Sequence, residues 1–178
     1  RLRAWTAPLL LLLLPFLLLA GCEEHECDEG EIFDGSECVP EQCGSGPWGD
    51  VAITSDDIFV TELGEDDGSD GSQGAPFTGL DQAVDLLWER GTDGRIVMGV
   101  GVWPTHQILG EWPTSVAFVG RCPELVVLEG EENPIFEIAA ATIHLEGMTM
   151  RGGSPAISVS GEDFAGSTNV SIAKVRIA

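Results

Sequence analysis

Glu65, Asp66, Asp67 and Asp70 form the densest carboxylate cluster in the main body of this chain, spaced by Gly64, Gly68, Gly71 and Gly74. Hard cations such as calcium gather several carboxylate oxygens from glycine-flexible loops, which makes these four acids candidate calcium ligands. Gly68, third from Asp66, breaks the EF-hand spacing, and a solvated acidic loop is the competing reading. His25, His106 and His144 are the only histidines, and none stands at a recognised spacing from a nucleophile. His144 alternates outward between Ile143 and Leu145, whereas His106 follows Trp103-Pro104-Thr105 in a predicted loop. The fingerprints GxSxG and HExxH, the phosphate loop and the dinucleotide motif are all missing. No catalytic residue is assigned, and the reading leans away from an enzyme.

A second chemistry-bearing residue lies near the start. Arg1 and Arg3 precede an apolar run through Leu9 to Leu14 and Phe16 to Leu19, and Leu19-Ala20-Gly21-Cys22 closes it. Charged start, apolar middle and small residues before a cut describe a secretory signal peptide, assigned to residues 1–21. The 14 residues from Ala7 to Ala20, interrupted by Pro8 and Pro15, fall short of the roughly 20 apolar residues of a membrane span. Cysteine directly after Leu-Ala-Gly resembles the lipobox of bacterial lipoproteins. That resemblance implies acylation of Cys22, a lipid anchor in the membrane, and a place in the bacterial cell envelope, at the outer membrane on its periplasmic or surface face. The first residue is Arg rather than Met, so the reading frame is expected to start earlier.

The formal net charge is −22, and loss of Arg1 and Arg3 with the signal peptide would take it to −24. From Glu23 to Asp70 there are 17 carboxylates and no Lys or Arg. Phosphate backbones are held by clustered cations, so nucleic acid is excluded as a partner. Polyuronates are disfavoured for the same reason.

With Cys22 acylated, Cys27, Cys38, Cys43 and Cys122 remain, an even number in an oxidising compartment. Two disulfides are expected, and spacing leaves three connectivities open. One local bridge among Cys27, Cys38 and Cys43 with a second reaching Cys122 would staple the amino-terminal segment to the main domain. A zinc site is the rival, but no CxxC pair supports it.

These groups need elements to position them. Residues 22–47 read as an acidic tether and cysteine-bearing segment, with a turn signal at Asp34-Gly35-Ser36, and residues 48–178 as the main domain. Asp57 to Thr61 reads as a strand. Leu80, Ala83, Val84, Leu87 and Trp88 recur on one helical face, with Thr78 as N-cap, Asp81 in the capping-box position and Gly91 past the end. Beyond Gly91 the period is two. Val116-x-Phe118, Ile143-x-Leu145 and Val170-x-Ile172 are spaced by 27 residues, as are Met148-x-Met150 and Val175-x-Ile177. Phe136-x-Ile138 and Ile157-x-Val159 are spaced by 21, with Gly147, Gly152 and Gly153 as corners. Short strands recurring at such periods predict an all-β solenoid, with a meandering β-sandwich as the alternative.

Asp67 to Phe77, the helix Leu80 to Arg90, the stretch Arg95 to Val100 and the coil-like Ile143 to Gly153 are similar to the opening of right-handed parallel β-helix domains of the pectate-lyase-like type. The resemblance covers about residues 56–178 and implies a right-handed parallel β-helix solenoid whose amino-terminal helix caps the stacked core. Val102-Trp103-Pro104-Thr105-His106 departs from the small residue, Tyr and acid common there. Lyases of that fold use carboxylate-bound calcium and a basic residue. Arg151 and Lys174 fall on neighbouring predicted coils without an accompanying strand Asp, and Arg176 suits pairing with acids. The chain ends in mid-strand at Ile177-Ala178, so the domain is expected to be a fragment lacking later coils. The leading expectation is a lipid-anchored envelope protein that binds polysaccharide or partner proteins on its outer face. A polysaccharide lyase or hydrolase with catalytic coils past residue 178, and a structural spacer, are the alternatives.

Overall fold

The computed structural model describes residues 27–28, 31–33, 37–64, 67–109, 115–139, 141–159 and 168–178. The signal peptide, Cys22, His25, the Asp34-Gly35-Ser36 turn, Glu65 and Asp66 lie outside these residues.

The amino-terminal strands β1 (Glu31–Phe33) and β2 (Cys38–Pro40) pair antiparallel, and a 3-10 turn at Glu41–Cys43 follows. Cys27 is bonded to Cys38, and Cys43 to Cys122 across 79 residues of sequence. One local bridge and one long staple is the expected arrangement. With all four engaged in disulfides, no cysteine thiolate among the described residues remains for zinc. By chain-entropy reasoning the long bridge stabilises by about 4 kcal/mol, because it closes a long loop in the unfolded chain.

The main body consists of β3 (Ile58–Val60), α1 (Leu80–Arg90), β4 (Gly94–Met98), β5 (Gly101–Pro104), β6 (Gln107–Leu109), β7 (Ser115–Gly120), β8 (Val126–Gly130), β9 (Phe136–Ile138), β10 (Thr142–Gly152), β11 (Ile157–Val159) and β12 (Asn169–Ile177). Seven strands form one parallel sheet in the order β3-β4-β7-β10-β8-β5, with β12 on β10, and β11-β9-β6 form a second parallel sheet. The 27-residue period is the ladder register: Ile143 faces Val116 and Val170, and Leu145 faces Phe118 and Ile172. The 21-residue period pairs Ile157 with Phe136 and Val159 with Ile138.

The expected closed right-handed parallel β-helix is not what these strands build. The large sheet is curled, yet β3 and β12 belong to it alone and have no counterpart in the three-stranded sheet among the described residues, so the wall does not close into a solenoid. The curl comes from β10, which pairs with β7 through Thr142–Glu146 and with β8 through Thr149–Gly152. Between these two ladders Gly147 adopts φ +67°, a left-handed conformation that turns the strand without ending it. Gly152 and Gly153 are also left-handed, as their corner role required.

Inward residues of both sheets share one core. Phe118 and Phe136, both fully buried, meet across the sheets with ring centroids 5.1 Å apart. Ile96, Leu128, Leu145, Met148 and Met150 are fully buried beside them, each contributing roughly 2 kcal/mol of apolar burial. The expected inward set on β12 is in register but less covered, Ile172 being 50 % exposed and Ile177 64 %.

Helix α1 spans the predicted residues and is the only α-helix among the described residues. It lays Leu80, Ala83, Val84 and Leu87 on the core near β3 and β4, in place of capping a closed coil. Two local expectations fail. The N-cap is Gly79, whose backbone N–H donates to Gln82 Oε1 at 3.0 Å, so Thr78 and Asp81 do not cap. Trp88 is 52 % exposed, because Leu87 fills the place against the sheet: an added Cβ on Gly94 would stand 2.0 Å from its side chain. Gly91 ends the helix in the left-handed conformation, as predicted.

Two glycine substitutions separate backbone strain from close approach. Gly91→Ala meets nothing within 4 Å and pays only the left-handed penalty, about 1–2 kcal/mol, whereas a Cβ at Gly147 would lie 2.3 Å from the Gly120 carbonyl oxygen. Gly147→Ala is therefore expected to destabilise more than Gly91→Ala in urea unfolding.

Candidate functional site

The outer face of the large sheet carries a strap made of the segment that follows the Cys43–Cys122 bridge. Buried Arg121 donates through Nε to the Cys43 carbonyl at 3.1 Å and through Nη2 to the Gly44 carbonyl at 2.6 Å. Trp48 packs on Phe59 at 4.8 Å between ring centroids, with Val97 and Val51 completing a small second core outside the sheet. At its far end the strap is tied by Asp57 and Arg95. Arg95 donates from Nε to Asp57 Oδ1 at 2.9 Å and from Nη2 to Oδ2 at 2.5 Å, and also bonds the Ala52 carbonyl. Thr54 adds its backbone N–H to Oδ2 at 2.7 Å and its hydroxyl to Oδ1 at 2.8 Å. Burial pushes the Asp57 carboxyl upward, but the bonds from Arg95 and Thr54 outweigh it and hold it below the ordinary 3.8. The same pairing raises Arg95 further.

Beneath the strap, parallel pairing sets Arg95 of β4 opposite Ala117 of β7, Ala117 opposite His144 of β10, and His144 opposite Ser171 of β12. Arg95, Ala117 and His144 of this row form the floor of a cleft with two lobes, and Ser171 lies beside it. One, of about 380 Å³, runs past Thr54, Asp93 and Ser115. The other, of about 720 Å³, runs past Asp50, Val119, Arg121, Glu124 and Lys174. Arg95, Ala117 and His144 line both.

At one side of the floor, His144 Nδ1 lies 2.7 Å from Ser171 Oγ, and His144 Nε2 lies 3.3 Å from Glu146 Oε2. Lys174 Nζ stands 3.4 Å from Glu146 Oε1. The bond with His144 comes first in holding the Glu146 carboxyl below its usual range; burial opposes it and Lys174 adds to it. Ionised Glu146 only accepts, so a neutral His144 must carry its proton on Nε2, which leaves Nδ1 to accept from Ser171.

Comparison with protein families, with curated proteins and with solved structures finds no match. Geometry alone therefore carries the functional argument.

Other predicted site residues are dispersed. Asp67 and Asp70 are exposed, and Asp70 Oδ1 accepts from the Ser72 N–H at 2.9 Å, closing its own loop. Bonds from Ser72, its side chain first and its backbone N–H second, hold the Asp70 carboxyl below its ordinary value. Glu65 and Asp66, the other half of the calcium set, are among the residues not described. Exposed His106 sits between β5 and β6, its Nε2 3.6 Å from Glu137 Oε2. Arg151 pairs with Glu129, and Arg176 Nη2 with Glu124 Oε1 at 2.8 Å. No helix among the described residues is long and apolar enough to cross a membrane. Ser171 was not singled out by its neighbours in sequence, although 27 residues separate it from His144, the period of the strand register.

The strap tie titrates. Because folding lowers the Asp57 pKa, its contribution is complete above the unfolded value of about 3.8 and is lost as pH falls through the lower folded value. Asp57→Asn is expected to cost on the order of 1–3 kcal/mol at pH 7. It should also flatten the fall in melting temperature between pH 4 and pH 2, read by calorimetry.

Proposed function

We propose that this chain is a lipoprotein of the bacterial cell envelope, acylated at Cys22, that holds a neutral, polyhydroxylated polymer in the cleft between the strap and the outer sheet face. The observation that carries the reading is the character of the cleft. Two ion pairs, Lys174 with Glu146 and Arg95 with Asp57, set donors and acceptors side by side, while Asp50, Asp56 and Asp93 leave the lining net acidic and turn polyanions away. Between them Ala117 and Val119 give an apolar floor. A sugar chain presents hydroxyls that both donate and accept, together with apolar C–H faces, and such a surface suits it. The side-chain rows advance by the parallel strand spacing of about 4.8 Å, which fits an extended ligand. A formal charge of −22 opposes polyanionic glycans.

Ala117 is the place to block the cleft, because its small side chain faces outward at the point where the two lobes meet. The full chain is expected to retain neutral glycans on an array, and Ala117→Trp to lose at least tenfold in affinity with its melting temperature unchanged. Retention by the variant equal to that of the parent, or no glycan retained by the parent, overturns the reading. The anchor has its own check: a fatty-acid analogue supplied to producing bacteria should label the parent chain and not Cys22→Ser.

A further inference from the structure

Among the charged pairs on the outer face, one includes a nucleophile. We propose that Ser171, His144 and Glu146 form a nucleophile, general base and orienting carboxylate that cleave carboxylic esters. That the natural ester is an acyl group borne on a hydroxyl of the bound polymer rests on the binding reading above; the chemistry of the three residues does not.

Each contact has the direction the chemistry needs. Glu146 accepts from Nε2–H of His144 at 3.3 Å and so fixes the tautomer, and Nδ1 then faces Ser171 Oγ at 2.7 Å with a free lone pair. The other candidate acceptor for the Ser171 proton, the Ile143 carbonyl, is at 3.5 Å and the weaker partner. Lys174 holds the second oxygen of Glu146, so the carboxylate is gripped from both sides. Glu146 is two residues from His144 on β10, which puts both on the same face, and parallel register puts Ser171 beside His144. Ser171 is exposed and bonded to His144, which lines both lobes, so the hydroxyl stands at the edge of the cleft, open to an acyl group that projects from it.

In the first half-reaction the Ser171 proton passes to His144 Nδ1 while Oγ bonds to the acyl carbon. The ester C–O bond then breaks, and the leaving alkoxide takes that proton and departs as an alcohol. In the second, water gives a proton to His144 and its oxygen attacks the acyl carbon. The bond to Ser171 Oγ breaks, Oγ recovers the proton, and the carboxylic acid is released. Glu146 keeps its charge throughout and stabilises the imidazolium, so it is a positioning residue.

Two probes test this on the full chain: diisopropyl fluorophosphate, which forms an Oγ–P bond with loss of fluoride, and 4-nitrophenyl acetate. Stoichiometric phosphorylation mapped to Ser171 by peptide mass spectrometry, abolished in Ser171→Ala and His144→Gln, is the expected result. Ester turnover should fall about 100-fold or more in His144→Gln. Glu146→Gln should lower kcat with KM unchanged, and Glu146→Asp should restore part of it. Ser171 is exposed and His144 and Glu146 are half-buried on the outer face, so circular dichroism and melting temperature should stay close to the parent, which separates lost chemistry from lost fold. An unlabelled parent, a label that persists in Ser171→Ala or in His144→Gln, or turnover unaffected by Glu146→Gln overturns the proposal. A chain that retains glycan but takes no label defeats this inference alone, and one that is labelled but retains no glycan defeats only the binding reading.

Discussion

The backbone of β10 pairs with three neighbours at once, and the geometry of the remaining elements depends on it. Through Thr142–Glu146 it is bonded to β7 on one edge and β12 on the other, while its second half meets β8. Those demands conflict in a flat strand. Gly147 reconciles them by turning left-handed where one ladder ends and the next begins, and its close approach to the Gly120 carbonyl leaves no room for a Cβ. The turn puts Leu145 and Met148, on either side of the corner, both into the core. It also leaves His144 and Glu146 together on the outer face, so the bend that encloses the core aims the polar pair at solvent.

A chain with so many carboxylates folds only if the few it buries are answered locally. Asp57 is such a case, since its removal from water is offset by four donated bonds, two from one guanidinium. Arg121 is the complementary one, a buried cation whose donors go to backbone carbonyls of the strap. Together with the Cys43–Cys122 bridge they clamp a segment that could not order itself by burial. The cleft is what remains between that clamped segment and the sheet. A small outer core of Trp48, Phe59 and Val97 sets its depth at one end.

Much of this was legible because parallel pairing converts sequence period into spatial neighbourhood. Val116, Ile143 and Val170 recur at 27 residues and are cross-strand neighbours, and Phe136 and Ile157 recur at 21 and are too. Helix α1 was legible through its apolar spacing and Gly91. Closure was not, because period tells which strands are neighbours and not whether every turn supplies a strand to every wall; β3 and β12 supply only one. Trp88 misled because its position fits the apolar face while Leu87 already occupies the contact with the sheet at Gly94. The cap misled because a hydroxyl at Thr78 looked better than Gly79, whereas Gln82 reaches back to the Gly79 N–H whatever side chain stands there.

The same conversion of period into proximity explains why Ser171 touches His144. Any polar residue 27 positions after His144 would sit beside it, since the ladder requires it. What lifts the pair above an ordinary cross-strand hydrogen bond is the third group. Without Glu146 an exposed imidazole would sample both tautomers, and Ser171 would donate to it or accept from it as the water shell changed. With Glu146 accepting at Nε2, and Lys174 keeping that carboxylate in place, the neutral imidazole is held in the tautomer whose Nδ1 accepts from Ser171. Charge points the same way: a general base that must become a cation gains from a carboxylate already ionised beside it, and the bond from His144 is the leading cause that keeps Glu146 ionised. The polar row on the outer face thus has a defined direction of proton flow, from Ser171 towards the imidazole.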